Sequence, residues 1–485
     1  MNLLLAAASG MLFVLTFPPV DASWLAPVAL TPLLVALDRE GRAGRRLLLG
    51  YVAGVIFWAG SCYWIHYPLA VHGGLAPAAA WGAVALLALI KGLHIALFGL
   101  LAGLALSSRL AVIAVPAIWV AIERTHGPLG FAWLTLGNAG IEMELPARAA
   151  PYAGVYGVSF VFALMATALA LVIRRRPLRR LAPAGILAIL YALPRLPAPE
   201  VGGETAVLVQ PNISQTADWT DSWILRQHER LVFLSEHVAR AGRPASLIVW
   251  PEVPAPVYYD SDARFREMAN ELARRTRAWL LLNAVPHTAA GAPLNSALLL
   301  SPEGRAAGRY DKMRLVPFGE YVPWPFGFLR KISNETGDFV PGERLVVLKA
   351  GERRIGAFVC YEAVFPELVR RFVAEGAELL VNISNDGWYG RTAAREQHFK
   401  IARMRAVENR RWLLRATNDG ITAAIDPAGR VRRRLPSFTQ AAIAVSFSYL
   451  QDRTVYARWG DWFVWLCALG SAVVLMAGQI PRYRP

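Results

Sequence analysis

Long apolar runs, most of them near the length of a bilayer crossing, limit the fold of this chain more than any other feature. A transmembrane helix needs about 20 mostly apolar residues, because each backbone polar group must be satisfied within the lipid. Such runs lie at 3–17, 22–37, 47–66, 76–107, 110–123, 154–173, 181–193 and 462–480. Several are short or rich in Gly and Pro, and each of these also reads as a re-entrant or interfacial segment. The runs at 22–37 and 181–193 fit that alternative best. Composition agrees with a membrane chain: 55% of the 485 residues are hydrophobic and only 18% are charged, against about a quarter charged in soluble domains. The opening MNLLLAAASGMLFVLTF has no basic residue before its apolar stretch. A retained first span is therefore expected rather than a cleaved leader.

The formal charge is +16, which suits either nucleic acid or a membrane surface. The arginines decide between them. Arg39, Arg42, Arg45 and Arg46 follow the second run, Arg109 the fourth, Arg174, Arg175, Arg176, Arg179 and Arg180 the sixth, and Arg482 and Arg484 the last. The alternate loops carry little charge: Asp21 in one, no Lys, Arg, Asp or Glu in 66–75, and Glu142, Glu144 and Arg148 in another. By the positive-inside rule both termini are cytoplasmic, and the segment between the seventh and eighth runs lies outside. Topology thus accounts for the charge. With no zinc-ligand spacing, P-loop or RNA-binding signature, no nucleic acid partner is expected.

Residues 202–449 have a different rhythm. The short runs TAVLVQ, SLIVWPE, WLLLNA, SALLLS, RIGAFVCYE, ELLVNISND, WLLRATND and AAIAVS alternate with amphipathic stretches at 222–240, 261–277, 366–375 and 392–409. Short, wholly apolar runs suit strands buried on both faces, so this is a layered α/β domain. The expected architecture is a multi-span α-helical membrane bundle of about eight spans over 1–201 and 450–485. The α/β domain, 202–449, is inserted before the last span.

Chemistry gathers where these strands end, the usual place for sites on α/β sheets. Glu252 follows LIVWP, Cys360 follows IGAFV, and Asn385 and Asp386 follow LLVNIS. Of the three cysteines only Cys360 lies outside the apolar runs. A thiol attacks a carbonyl as thiolate and so needs a base and a nearby cation. Glu252, stiffened by Pro251 and Pro254, can take the proton. Lys312 can stabilise thiolate and oxyanion. Lysine is scarce here: Lys91, Lys312, Lys331, Lys349 and Lys400 are all of them. Chance surface placement is the alternative for Lys312. Glu320 and Glu362 can hold Lys312 or the base in place, or pair with the many arginines.

These residues resemble the nitrilase superfamily, whose triad is Glu, Lys and Cys. The Glu motif reads WPE ending at Glu252, the Lys motif YDK ending at Lys312 with LVPFGEYVP after it, and the nucleophile motif CYE starting at Cys360. Joined to membrane spans, the chain is similar to the apolipoprotein N-acyltransferase family; LVPFGEYVPWPFG, NISNDGWYG, EQH at 396–398 and RATNDGITAAIDPAG carry the likeness. Gln210, Pro211 and Asn212 depart from it, since Gly is expected between Gln and Asn. The resemblance implies an αββα sandwich for 202–449. It implies a thioester on Cys360 with Glu252 as base and Lys312 as cationic partner, supported by Glu320, Tyr361 and Glu362, and no metal or cofactor. Further implications are a phospholipid acyl donor, a diacylated prolipoprotein acceptor, and a monomer in the bacterial inner membrane with its catalytic domain facing the periplasm.

Lipid access has its own signal. Tyr321 to Leu329, with Trp324 and Phe326 among them, is an aromatic apolar run in an exported domain. It reads as a loop dipping toward the bilayer, or as a buried cover over the site. Trp219, Trp388 and Tyr389 could line the same mouth or pack in a core. Lys91 and His94 sit within the fourth run, where a polar group needs a partner or water; they read as bundle contacts or headgroup ligands.

Overall fold

The computed structural model describes residues 1–128, 131–198, 202–215, 219–252, 258–322 and 339–479. Among them, helices Pro77–Ala105 and Ala150–Ile173 are long and apolar enough to cross a membrane. Ala43–Ser61 and Tyr63–His72, bent by 51°, pass the same test as a pair. Asn2–Thr16, Ala111–Glu123 and Trp462–Gln479 are apolar and shorter. Two expected spans are not continuous helices. The run at 22–37 breaks into Ser23–Leu25, Ala26–Ala29 and Thr31–Arg39, with Pro27 and Pro32 in the first turns of the latter two. The run at 181–193 is a 3₁₀ stretch, Ala182–Ala188, followed by one α turn, Ile189–Ala192. Proline lacks an N–H and suits a first helical turn, so it restarts helices rather than continuing them.

Small residues let the bundle close. A Cβ on Gly50 would lie 2.2 Å from the Ile95 carbonyl oxygen, and one on Gly99 2.7 Å from that of Arg46. Helices Ala43–Ser61 and Pro77–Ala105 thus meet backbone to backbone, as small residues permit in lipid. Lys91 is buried there. Its Nζ donates to the His126 carbonyl at 3.4 Å and lies 4.8 Å from the centre of the Trp58 ring. The His94 and His126 rings meet edge to face at 4.7 Å. Both residues are bundle contacts.

The α/β region holds two six-stranded sheets. The strands of the first are β1 (Glu204–Gln210), β2 (Leu247–Val249), β3 (Trp279–Ala284), β4 (Ser296–Leu300), β5 (Ala306–Asp311) and, on its far edge, β12 (Ala441–Phe447). Those of the second are β6 (Leu348–Ala350), β7 (Arg353–Val359), β8 (Leu379–Ser384), β9 (Leu413–Thr417), β10 (Ala423–Ile425) and β11 (Val431–Arg434). The orders are β12-β1-β2-β3-β4-β5 and β11-β10-β9-β8-β7-β6. In each, three parallel strands (β1 to β3, β7 to β9) are flanked by antiparallel ones.

Side chains of successive strand residues point to opposite faces, and the two faces have different partners. Ala206, Leu208, Leu247, Val249 and Leu281 join the core shared with β7 and β8. Val207, Val209, Ile248, Leu280 and Leu282 pack under helices Asp221–Arg240 and Ala263–Thr276. Helices Pro366–Ala374 and Ala394–Asn409 belong to the second sheet. Ala394–Asn409 is buried round nearly its whole circumference, since it also packs on Ala150–Ile173 of the bundle. The layers are therefore helix, sheet, sheet, helix, with the last layer resting on the bundle.

Candidate active site

Three strand ends converge between the sheets. Glu252 follows β2, Lys312 follows β5 directly, and Cys360 follows β7 directly. Val359 and Ile383 are in register on the parallel pair β7–β8, so Cys360 lies beside Ser384 and Asn385. Glu252 bridges the sheets: its Oε2 accepts the Asn385 N–H at 2.9 Å, and its Oε1 accepts Asn295 Nδ2–H at 2.7 Å. Lys312 Nζ lies 3.7 Å from Glu252 Oε1 and 2.8 Å from Glu320 Oε1. Glu320 also accepts Asn295 Nδ2–H at 2.7 Å and the Val316 N–H at 2.7 Å.

Lys312 is 1% exposed and Cys360 4%, so water screens these charges little. Burial pushes the Cys360 thiol well above its ordinary pKa; Glu252 adds to that, and Lys312 and a hydrogen bond with Ser384 oppose it. Burial also works against the Lys312 charge, but Glu320, Glu252 and Cys360 together hold its pKa above the ordinary lysine value. The Glu252 carboxyl is raised by burial and by Glu320, against the pull of Lys312. A neutral thiol, a firmly charged lysine and a carboxylate of raised basicity form one electrostatic cluster.

Cys360 has φ of 49°, a left-handed conformation that costs a non-glycine residue roughly 1–2 kcal/mol. The surroundings hold it there. Glu362 Oε2 accepts the Val359 N–H at 2.8 Å, and Oε1 accepts Tyr310 Oη–H at 2.7 Å and the Met313 N–H at 2.8 Å. Glu362 therefore ties the Cys360 turn to the segment bearing Lys312; among the described residues it pairs with no arginine. His398 Nε2 faces the Cys360 carbonyl oxygen at 3.1 Å, so that nitrogen carries the proton. Its Nδ1 lies 3.2 Å from both Asp386 Oδ1 and Arg415 Nη2. Burial and Arg415 lower the ring's pKa, and the Asp386 carboxylate opposes them.

The aromatic residues divide. Tyr361 is buried; its hydroxyl donates to the Ala132 carbonyl at 3.0 Å, and its ring lies parallel to Phe131 and Trp133. Tyr389 packs edge-on against Trp64 at 5.1 Å and Trp133 at 6.0 Å, and Trp388 against His72 at 4.9 Å. These contacts join the α/β region to the bundle. Trp219 lies against Trp223, at 5.6 Å, beside the outer helical layer. Burial pushes the Tyr361 phenol above its ordinary pKa, the hydrogen bond to Ala132 opposes it, and Tyr321 adds to the rise. Trp324 and the rest of its aromatic run from 323 to 329, with Pro254, lie outside the described residues. Sequence reasoning missed Asn295 and His398 as site residues. Asn295 is itself held by Asn283, whose Nδ2 donates to its Oδ1 at 2.9 Å. Among the described residues no three His, Cys, Asp or Glu side chains are grouped to hold a metal ion.

A helical module at the N-terminus and a paired-sheet domain with a Glu, Lys and Cys cluster define a membrane-associated member of the carbon–nitrogen hydrolase class. The family model described as "Carbon-nitrogen hydrolase" matches residues 205–452, and that described as "Apolipoprotein N-acyltransferase N-terminal domain" matches 9–168. Among curated proteins, the apolipoprotein N-acyltransferase of Geobacter metallireducens is 37% identical over 97% of this chain and 94% of its own. Those of Azotobacter vinelandii and Pseudomonas putida are 33% and 32% identical, each over 99% of this chain and over 95% and 97% of their own. The chain belongs to the apolipoprotein N-acyltransferase family. It is an acyltransferase with a nitrilase-like α/β domain.

Proposed function

We propose that this chain moves a fatty acyl group from the sn-1 position of a phospholipid, chiefly phosphatidylethanolamine, to the α-amine of the N-terminal diacylglyceryl-cysteine of an apolipoprotein. The carrier is a thioester on Cys360. Glu252 takes the thiol proton as Sγ attacks the ester carbonyl, and Lys312 stabilises the oxyanion. The tetrahedral intermediate collapses, Glu252 returns the proton to the departing lysophospholipid oxygen, and the acyl-enzyme remains. The lipoprotein amine then attacks the thioester, Glu252 accepts its proton, and the thiol is released as the amide forms. Glu320 and Asn295 keep Glu252 and Lys312 in place.

One observation carries this reading: the residue next to the nucleophile, Tyr361, docks into the bundle through its hydrogen bond to Ala132. A tether alone would not need the bundle beside the reacting thiol. The chain is a monomer of about eight spans, with bundle 1–201, catalytic domain 202–449 and last span 450–485. The charge alternation sets the catalytic domain on the periplasmic face of the inner membrane. Arg174 and Arg176 meeting Asp38 at 2.8 and 2.6 Å supports this, since it puts the ends of the second and sixth runs on one side.

The test is mass spectrometry of a diacylated lipoprotein peptide incubated with the purified protein and phosphatidylethanolamine. A gain of one acyl group on the α-amine is expected. Free fatty acid with no acylated peptide would make the protein a hydrolase instead.

A further inference from the structure

Gln397 lies on helix Ala394–Asn409 and is fully buried. Its amide makes all four hydrogen bonds open to it. Oε1 accepts Trp133 Nε1–H at 2.7 Å and Trp64 Nε1–H at 3.2 Å. Nε2 donates to the Pro18 carbonyl at 2.9 Å and the Ser61 carbonyl at 3.0 Å. Indoles only donate and carbonyls only accept, so this set of partners allows one orientation of the amide. All four partners come from the N-terminal module: Pro18 just after Asn2–Thr16, Ser61 at the end of Ala43–Ser61, Trp64 in the next turn, and Trp133 in the loop before Leu136–Glu142.

The tied indoles lead to the nucleophile. Trp64 and Trp133 pack at 4.8 Å, and Trp133 lies nearly parallel to Tyr361 at 6.4 Å and to His398 at 5.8 Å. Tyr361 is the residue after Cys360, and His398 holds the Cys360 carbonyl. An apolar side chain would fill the same space but would leave two indole N–H groups and two carbonyls without the amide. A buried amide with every bond made selects one register of two packed surfaces.

We propose that Gln397 is a positioning residue for acyl transfer from lipid: its amide sets the register of the catalytic domain on the bundle and, through Trp133 and Tyr361, aims the Cys360 thiol at an ester presented from the bilayer. The proposal rests on Cys360 as nucleophile. It separates two abilities of the site. Chemistry on a small soluble acyl donor needs only the Glu252, Lys312 and Cys360 cluster. Chemistry on a phospholipid also needs the register.

The test compares Gln397→Met with wild type for acylation of Cys360 by phosphatidylethanolamine in mixed micelles, by a short-chain p-nitrophenyl ester, and for Cys360 alkylation by iodoacetamide. At least a tenfold loss with the phospholipid is expected, with the ester and iodoacetamide rates within threefold of wild type. Trp133→Phe, which keeps a ring and removes one bond, should show the same split more weakly. The double variant should lose no more than Gln397→Met alone, because both act through one contact. Equal losses in all three rates, or additive losses in the double variant, would make Gln397 ordinary packing. An unchanged phospholipid rate would also overturn the proposal. If Gln397→Met does not accumulate, Trp133→Phe decides by the same split. The wild-type arm is independent: absence of any acyl adduct on its Cys360 would refute the nucleophile, whatever Gln397 does.

Discussion

Cys360 does not hold a standing thiolate. Burial and the neighbouring Glu252 carboxylate push its pKa up, and Lys312 offsets only part of that. In the proposed mechanism its proton leaves as Glu252 takes it during attack. The pH profile of single-turnover acylation should accordingly follow the base. The rate should fall on acidification through the raised Glu252 pKa, where the carboxylate is lost, and stay flat from there to pH 9. A steady rise through pH 8 and 9 would mean the thiol ionises on its own. Glu252→Gln should fold and lower acylation of Cys360 by about 10²-fold or more, the usual weight of a general base; near-normal acylation would remove Glu252 from that role. Cys360→Ala should abolish transfer and Cys360→Ser nearly so, read as acylated lipopeptide per enzyme. Glu252 and Cys360 were legible in the sequence because each stands near the end of a run that announces itself as a strand; Lys312 was legible through the scarcity of lysine and the YDK motif, since β5 before it carries no such run. Asn295 and His398 were not, because the atoms they hold, Glu252 Oε1 and the Cys360 carbonyl, belong to segments 43 and 38 residues away. No local pattern records such a meeting.

The elements divide in the same way. The eight apolar runs expected as strands are β1 to β4, β7 to β9 and β12. Missed were β5, β6, β10 and β11, which are short or carry exposed polar residues such as Arg432, Arg433 and Arg434. Antiparallel flanking strands need no continuous apolar run, so periodicity passes over them. Helix Ala150–Ile173 shows what a kink needs. Gly154 is non-helical with φ of 66°, and the Val155 N–H is satisfied by Glu408 Oε1 at 2.7 Å. Glu408→Ala would leave that N–H without its acceptor, at about 1–3 kcal/mol; Glu408→Gln keeps an oxygen there and should cost less. Burial raises the Glu408 carboxyl to about 7 from 4.5, against the pull of Arg405 and Val155. The folded state therefore binds the extra proton across that window, and stability declines as pH rises through it. Thermal unfolding from pH 4.5 to 7 should show a shallower decline in Glu408→Gln than in wild type. Equal slopes would assign the pH dependence to other groups.

At the scale of the whole molecule, the bundle and the catalytic domain meet through a polar and aromatic interface that includes Gln397, Tyr361, Tyr389 and Glu408, all of them buried. We propose that the arginine alternation fixes the side of the membrane on which that interface lies. A membrane-impermeant thiol reagent should label Cys360 in right-side-out vesicles and spare it in inverted ones; the reverse pattern would overturn the topology.

The most direct test of the account is the acyl-enzyme itself. Purified protein is incubated with phosphatidylethanolamine carrying a mass-labelled sn-1 chain, digested, and analysed at the Cys360 peptide. The account predicts a labelled acyl mass on that peptide, released by hydroxylamine and chased onto the α-amine of an added diacylated lipopeptide. Formation of the acylated lipopeptide with no adduct on Cys360 at any time in the turnover would contradict it.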